Sequence, residues 1–320
     1  MNSDTSAAHL IDSRALGALF AAPAMREVFT DRAMIQSWLD AEVALVRAQA
    51  DLGLAPAEAA EEIAAKAAAD DWDLDALAAE IERTAHPLVP VVRELAQRCG
   101  ESGGWVHYGA TTQDITDTGL VLQARAGLDI VEASLRRLLD SLFGLAQQYR
   151  DLPMVGRTHA QHALPITLGY KFAVLLAEGE RHLERLAQVR PRVLVAELGG
   201  AVGSMASFGT HGPELLRRMA DRLGLAAPDI AWHTARDGLT ELTCVLSMVS
   251  ATCGKIANEI RVLQRTEVAE LEEPFLLGKV GSSTMPHKKN PMYAEFVISN
   301  AILNRQAPAS MLAAMVQEHE

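Results

Sequence analysis

Three long segments of the chain carry apolar residues at alternating steps of three and four. This spacing lines one side of an α-helix and is typical of helices that pack in bundles. Segments that alternate with a period of two are scarce. The pattern therefore predicts an all-α fold with a central bundle of long helices. The stripes are Val121, Ala124, Leu128, Val131, Leu135, Leu138, Leu142 and Leu145; Leu168, Phe172, Leu175, then Leu186 and Val189 after a thinner stretch at Gly179 and His182; and Leu239, Leu242, Leu246, Val249, Cys253, Ile256, Ile260 and Leu263.

The long segments are apolar on more than one face. A helix of this kind is usually buried by more than one neighbour, so we expect self-association around the bundle. The additional apolar positions include Leu139, Phe143, Val174, Leu176, Val245 and Met248.

A smaller helical domain is predicted for residues 1–110, with the long-helix bundle domain in 111–320. Asp31 is expected to cap a helix that runs through Asp51, and Gly53 to end it. Ala and Leu dominate while aromatic residues make up only 5% of the chain, which favours helix.

Charge and cysteine content exclude several classes of protein. The 41 acidic and 29 basic residues give a formal net charge of −12, which disfavours nonspecific binding to nucleic acid or to anionic membranes. The three cysteines form no C-x-x-C pair, so a disulfide framework or structural zinc site is not expected. Neither a membrane-spanning run nor a secretory leader pattern in residues 1–12 is seen. We expect a cytoplasmic protein.

Four stretches between the predicted helices carry polar residues that packing does not require. The first is W-V-H-Y-G-A-T-T-Q-D-I-T-D-T, residues 105–118. It places Thr111 and Thr112 where a long helix begins, and the free N–H groups there favour a carboxylate or phosphate. The alternative is an N-cap made by Thr116 or Asp117.

The second stretch is G-R-T-H-A-Q-H-A-L-P, residues 156–165, which leads into the next long helix. Histidine exchanges protons near neutral pH, so His159 or His162 is a candidate acid or base. The alternative is a helix-end histidine that bonds backbone carbonyls.

The third stretch, W-H-T-A-R-D at residues 232–237, contains Arg236. Its guanidinium suits bidentate recognition of a carboxylate, and a surface ion pair with Asp237 is the alternative.

The fourth stretch is G-K-V-G-S-S-T-M-P-H-K-K-N-P, residues 278–291. It combines two glycines, two serines, a histidine, two lysines and an asparagine between prolines. That composition is typical of a mobile loop that closes over an anion, and a plain linker would not need it.

These stretches resemble the fumarase/aspartase superfamily. The hallmark G-S-S-x-M-P-x-K-x-N-P is complete from Gly281 to Pro291, and T-T-Q-D and R-T-H-A-Q resemble two further family regions in the same order. The resemblance implies a small N-terminal helical domain, a central bundle and a C-terminal helical domain. It also implies a homotetramer with active sites shared among three subunits, no metal and no organic cofactor.

The resemblance assigns roles to individual residues. Ser282 matches the family's catalytic base and His159 its general acid, with His107 and His162 as alternatives for the acid. The predicted substrate-binding residues are Thr111, Thr112, Gln161, Lys288 and Asn290, together with His107, Arg236, Ser283 and Met285.

The substrate is predicted to be a small polycarboxylate, in which a C–O or C–N bond is formed or broken β to a carboxylate. Residues 19–33 and 109–123 look more like 3-carboxy-cis,cis-muconate cycloisomerases than adenylosuccinate lyases. The latter usually carry an arginine–tyrosine pair where this chain has Leu19 and Phe20. Cycloisomerisation in aromatic catabolism is therefore the preferred prediction.

Other features favour different activities. His159 is the lyase-type acid, where some bacterial cycloisomerases have tryptophan, and residues 232–237 and 265–275 are similar in adenylosuccinate lyases. Adenylosuccinate lyase or another C–N lyase is the alternative, and a catalytically inactive crystallin-like protein is the non-enzyme alternative.

Family members continue well past the equivalent of Glu320. Because this sequence stops inside M-L-A-A-M-V-Q-E-H-E without a glycine or proline stop signal, we expect that the C-terminal helical domain is absent or truncated.

Overall fold

The computed structural model describes residues 9–275 and 278–320, which are mostly α-helical. The all-α prediction with long helices is confirmed. The first helices are α1 (Gly17–Phe20), α2 (Pro23–Val28), α3 (Asp31–Asp51), α4 (Ala57–Lys66), α5 (Leu74–Thr84) and α6 (Val89–Arg98). The later helices are α7 (Thr112–Gln148), α8 (Leu168–Val193), α9 (Gly212–Leu223), α10 (Asp237–Leu263), α11 (Met292–Asn304) and α12 (Ala307–Ala314). Short 3-10 segments lie at Leu10–Asp12, Ala69–Asp71, Gly100–Trp105 and Ala206–His211.

The three predicted stripes fall on α7, α8 and α10. In α8 every stripe position is buried, including Gly179 and His182. In α7 the stripe positions are alternately buried and half-buried. The stripe prediction for α10 is only partly right, because the buried face also takes in polar side chains. Thr252, for example, is buried, and its hydroxyl lies 2.8 Å from Nε2 of His182. The buried residues of α10 are Thr240, Leu242, Val245, Val249, Thr252, Ala257 and Leu263.

Helix α3 has the predicted bounds but a different cap. Thr30, in extended conformation, accepts a hydrogen bond from the Ala33 N–H at 3.2 Å, so the prediction that Asp31 caps the helix is wrong. Asp31 is instead the first helical residue, where its charge favours the positive end of the helix dipole. At the other end, Gly53 has a φ of 70°, which suits glycine.

A β-hairpin that the hydrophobic pattern did not predict separates α7 from α8. Strands β1 (Pro153–Thr158) and β2 (Gln161–Thr167) are antiparallel, with an irregularity in register between Val155 and Arg157. The strands are short and contain prolines, and their turn is His-Ala rather than the usual Asn-Gly. The sequence therefore offered little hairpin signal.

Two compact units make up the chain. The core unit consists of residues 23–130, 190–238 and 315–320, and the bundle unit of the described residues of 1–22, 131–189 and 239–314. In the core unit α3 packs against α4 and α9 around a continuous apolar core. The domain boundary predicted at residue 110 stays a prediction.

The bundle unit leaves large apolar side chains exposed on its long helices. Phe143 is 54% exposed, Val174 46% and Met248 41%, whereas Leu139 and Val245 are buried within the unit. Part of the second apolar face is thus buried within the unit, and part of it is exposed. Self-association stays a prediction.

Membrane insertion finds no support in the helices of the described residues. None of them has both the length and the apolar character needed to cross a bilayer.

The close approach of α8 to the end of α7 predicts opposite effects of two Gly→Ala changes. A Cβ at Gly169 would lie 2.5 Å from the Ala146 carbonyl oxygen and 2.6 Å from Arg150 Cα, whereas a Cβ at Gly144 would meet nothing within 4 Å. Gly169→Ala should destabilise the protein by about 1–3 kcal/mol through overpacking. Gly144→Ala should stabilise it by about 0.5–1 kcal/mol through helix propensity. Urea denaturation measures both, and equal effects would contradict the packing.

Candidate active site

The predicted site residues fall into two groups, one in each unit. The core unit contains the residues of the 105–118 and 232–237 stretches, and the bundle unit contains those of the hairpin and the 278–291 loop. The core-unit residues are His107, Thr111, Thr112 and Arg236, and the bundle-unit residues are His159, Gln161, Ser282, Ser283, Met285, Lys288 and Asn290.

The loop of residues 278–291, which we call the signature loop, folds back tightly on itself. A Cβ on Gly281 would lie 2.4 Å from the carbonyl oxygen of Lys288, so only glycine fits at this crossing. The Lys288 N–H donates to the Met285 carbonyl at 3.0 Å. The loop therefore has a defined turn at its centre, although most of its side chains are exposed.

Ser282 is half-buried at the start of that turn. Its Oγ accepts a hydrogen bond from the Met285 N–H at 3.1 Å and a longer one from the Thr284 N–H at 3.4 Å. Fixed N–H donors aimed at an oxygen stabilise negative charge on it. This arrangement suits a serine that must lose its proton.

A buried ion pair anchors both ends of the signature loop. Lys279 Nζ lies 2.6 Å from Glu273, and both side chains are buried. Glu273 also accepts hydrogen bonds from the N–H groups of Ala294 at 2.6 Å and Tyr293 at 3.4 Å, at the start of α11. Lys279 lies 4.5 Å from the centre of the Tyr293 ring. One carboxylate thus ties the segment before the loop to the helix after it.

A cavity of about 650 Å³ opens beside the signature loop. Lys288 and Asn290 line it, together with Arg261 and Arg265 from the end of α10 and the segment that follows. The volume and the cations suit a small polycarboxylate. Acidic side chains also line the cavity, and two of them are paired, Glu270 with Arg157 and Glu272 with Lys289.

His159 lies at the exposed tip of the hairpin. His159 and Ala160 form a two-residue turn with φ values of 50° and 62°, both in the left-handed region. Such a turn matches the twist of a hairpin but is unfavourable for residues other than Gly, Asn and Asp. Gln161 follows as the first residue of β2 and is also exposed.

The base of the hairpin is held by a bidentate ion pair. Arg157 donates to the two carboxylate oxygens of Glu270 at 2.8 and 2.6 Å. Hydrogen bonding to Arg157 lowers the pKa of Glu270, so this carboxylate stays charged. Because paired planar groups fix orientation as well as distance, the pair sets the direction of the strand that leads to His159.

In the core unit the T-T-Q-D turn is built around the fully buried side chain of Asp114. Its carboxylate accepts hydrogen bonds from the backbone N–H groups of Thr111 at 2.8 Å, Gly199 at 2.7 Å and Gly200 at 3.0 Å. Nε2 of His233 lies 2.7 Å from the same carboxylate. The helix consequently starts at Thr112, and the alternative of an N-cap at Thr116 or Asp117 is wrong.

A second buried carboxylate, Glu197, lies beside this cluster. It accepts the Trp232 N–H at 2.6 Å, and its other oxygen is 3.7 Å from His233 Nε2 with no hydrogen-bond partner among the described residues. Burial raises the pKa of Glu197 to about 7, against the opposing Trp232 N–H and His233 charge. The hydrogen bond to Asp114 raises the pKa of His233, although burial opposes it. Near neutral pH Glu197 is therefore partly protonated, and the bond to Asp114 favours the protonated form of His233.

Asp114, Glu197 and His233 each bring a ligand atom within 4.8 Å of the others, a spacing at which a cation could be held. Backbone N–H groups and His233 already surround the Asp114 carboxylate. We therefore describe the three side chains as a hydrogen-bonded set and call them the buried triad.

His107 is held by the buried carboxylate of Glu42. Nδ1 of His107 lies 2.6 Å from Glu42 and its backbone N–H donates to the same carboxylate at 3.0 Å, with a φ of 60°. Burial lowers the pKa of His107, but the hydrogen bond and charge of Glu42 outweigh it and the net shift is upward. His107 is thus a half-buried group whose protonated form is favoured by Glu42.

Arg236 pairs with a different carboxylate from the one considered in the sequence. Its guanidinium lies 2.9 Å from Asp117 in α7 and 5.5 Å from the centre of the Trp232 ring. This pair is more buried than a surface ion pair.

Glu42, Glu197 and His233 were not predicted as site residues from the sequence. The available signal for Glu197 was its position before the glycine pair 199–200, just beyond a long helix. Glu42 gave no signal, because it lies inside a regular amphipathic helix.

The chain is similar to proteins of a known enzyme family. A family model described as Lyase matches residues 19–303. The chain is 44% identical over 314 residues to N-acetyl-S-(2-succino)cysteine lyase of Dickeya dadantii (strain 3937), covering 98% of this chain and 69% of the relative. It is 44% identical over 307 residues to 3-carboxy-cis,cis-muconate cycloisomerase of Pseudomonas putida, covering 95% and 73%.

A solved structure agrees with these relatives. The crystal structure of 3-carboxy-cis,cis-muconate lactonizing enzyme from Pseudomonas putida matches with a TM-score of 0.90 at 45% identity, covering 95% of this chain and 68% of that one.

The raised pKa of Glu197 predicts a pH-dependent stability. A carboxyl whose pKa rises from 4.5 to about 7 on folding stabilises the protein at low pH, and this contribution is lost as the pH rises through 7. The melting temperature should fall between pH 5 and 8, and Glu197→Gln should flatten that fall. The matched control is Glu178→Gln. The hydrogen bond from Lys255 lowers the pKa of Glu178, so this change should leave the slope unchanged. Parallel curves for wild type and Glu197→Gln would contradict the assignment.

Proposed function

The chain belongs to the fumarase/aspartase superfamily, and from this premise we propose that it catalyses reversible bond formation between carbon and a heteroatom β to a carboxylate. The complete signature loop is the main support for this proposal. Its Ser282 oxygen accepts two backbone N–H donors, and its Lys288 and Asn290 line a cation-rich cavity. The substrate is a small polycarboxylate.

In the cleavage direction Ser282 takes the proton from the carbon α to a carboxylate. The electrons of that C–H bond move into the carboxylate, which becomes a dianionic aci-carboxylate stabilised by Lys288 and Asn290. They then return to form the C=C double bond as the bond to the heteroatom breaks. His159 protonates the leaving atom. In lactonisation the steps run in reverse, with a carboxylate oxygen of the substrate as the incoming heteroatom.

Thr111, Thr112 and Gln161 would bind the remaining carboxylates, with His107, Arg236, Ser283 and Met285 around them. The exposed apolar side chains of the bundle unit support a homotetramer in which each active site draws on several subunits. We propose this assembly on those grounds, and we propose a cytoplasmic location because the three cysteines are free.

The first specific activity is the cycloisomerisation of 3-carboxy-cis,cis-muconate, a lactonisation in aromatic catabolism. The 44% identity to the Pseudomonas putida enzyme and the TM-score of 0.90 support it.

A second activity is the cleavage of a C–S bond in an S-succinylated thiol. The 44% identity to the Dickeya dadantii lyase supports it equally, and His159 supplies the proton donor that a leaving group needs.

A substrate screen tests these activities. Ultraviolet absorbance follows 3-carboxymuconate, N-acetyl-S-(2-succino)cysteine, adenylosuccinate, argininosuccinate and fumarate as double bonds form or disappear. We expect turnover of 3-carboxymuconate. Turnover of the succinylated thiol alone would select the second activity, turnover of adenylosuccinate alone would reject both, and no turnover of any would contradict the proposed chemistry.

Ser282→Ala removes the proposed base. We expect kcat on the substrate found in the screen to fall about 10²–10⁴-fold or more with unchanged oligomer size, because a positioned proton acceptor is lost. Ser299→Ala, at an exposed serine of α11, is the matched control and should keep full activity. Normal turnover by Ser282→Ala would reject the assignment.

His159→Asn removes the proposed acid while keeping the turn, since asparagine tolerates the left-handed backbone. The expected loss in kcat is about 10²–10⁴-fold. His162→Asn on the same hairpin should be nearly silent. A large loss in His162→Asn with none in His159→Asn would exchange the two roles.

A further inference from the structure

The buried triad joins three stretches that lie far apart in the chain. Asp114 is on α7, Glu197 follows α8, and His233 precedes α10. Two more bonds cross the same junction. The Thr118 hydroxyl pairs with the backbone N–H and carbonyl of Glu197 at 2.9 and 3.2 Å, and the Gln113 amide donates to the His233 carbonyl at 2.6 Å.

Burial of so much polar chemistry has a cost in free energy. Carboxylates removed from water are unfavourable unless hydrogen bonds replace their hydration, and apolar side chains packed in the same space often serve stability better. Such a junction can nevertheless be needed to hold neighbouring residues in fixed positions.

Two groups that the proposed function assigns to substrate depend on this junction. The Thr111 N–H is bonded to Asp114, so the carboxylate sets the path of the Thr111–Thr112 turn. Glu197 fixes the Trp232 backbone and the Trp232 ring faces Arg236.

We propose that Glu197 and His233 are positioning residues for substrate binding, which act through Asp114 on the Thr111–Thr112 turn and through Trp232 on Arg236. They touch the binding groups only through these neighbours. The proposal rests on the proposed function, in which Thr111, Thr112 and Arg236 bind carboxylates of the substrate.

The unpartnered oxygen of Glu197 makes the junction sensitive to protonation. It faces His233 at 3.7 Å, and the other charged groups near it are Asp114 and Asp117, the latter paired with Arg236. When Glu197 is protonated, His233 bonds Asp114 alone. When Glu197 loses its proton, it competes with Asp114 for His233 and loosens the hold on the turn.

The test uses the full chain with three variants. His233→Asn and Glu197→Gln change the junction, and His182→Asn is the matched control, since His182 is equally buried and hydrogen-bonded but lies in the bundle unit. The readouts are kcat and KM on the substrate found in the screen, the melting temperature, and deuterium uptake of the peptide that contains Thr111 and Thr112.

We expect His233→Asn to raise KM about tenfold or more, the scale of a lost buried hydrogen bond, with kcat changed less than about threefold. Deuterium uptake at the turn should rise. His182→Asn should lower the melting temperature as much but leave KM and the turn unchanged. In wild type KM should rise above pH 7, and Glu197→Gln should abolish that rise. The proposal is overturned if His233→Asn and His182→Asn change KM alike, or if the turn keeps its protection.

Binding of tricarballylate, a tricarboxylate without a leaving group, separates this proposal from the proposed function. If wild type binds it, turns over no substrate in the screen, and loses affinity in His233→Asn, the catalytic proposal fails and the positioning proposal stands. If the Ser282→Ala loss is observed but His233→Asn binds tricarballylate as tightly as wild type, the positioning proposal fails alone. If wild type neither binds tricarballylate nor turns over a substrate, both fail.

Discussion

The hydrogen bonding of one buried carboxylate, that of Asp114, determines how the core unit is arranged around its polar residues. A charged group that is removed from water needs several donors, and Asp114 finds them in the Thr111 turn, in the glycine pair 199–200 and in His233. Each donor belongs to a different part of the chain. Satisfying one carboxylate therefore brings three loops together at the start of α7.

In the bundle unit, ion pairs hold the polar segments in place. Glu273 and Lys279 hold the two ends of the signature loop, and Arg157 and Glu270 hold the base of the hairpin. In both cases the charged residues lie on segments that follow a long helix. The residues that carry the proposed chemistry, the half-buried Ser282 and the exposed His159, thus lie on short segments whose bases are fixed.

Family membership and site geometry answer different questions. The chain is 44% identical both to a 3-carboxy-cis,cis-muconate cycloisomerase and to an N-acetyl-S-(2-succino)cysteine lyase, so family membership alone does not select the substrate. In the proposed function, the shared step is proton removal next to a carboxylate, and the signature loop is suited to that step. In the proposed function, the choice of substrate depends on the residues around that centre, including the groups that Asp114, Glu197 and His233 are proposed to position.

Elements with local signals could be predicted from the amino-acid sequence. The bounds of α3, the three long helices and the signature loop could be read from spacing and motif, because helix formation and tight turns depend on residues a few positions apart. Even there, the choice of Thr30 over Asp31 as the cap depended on backbone conformation that composition does not reveal.

The pairing of distant charged residues could not be predicted in this way, because it depends on the folded chain. His233 is 119 residues from Asp114, and Glu270 is 113 residues from Arg157, so no spacing rule connects either pair. Glu197 carried no motif, yet its burial in the folded chain raises its pKa to about 7. Such properties arise from exclusion of water and from proximity in space, and both exist only after the chain has folded.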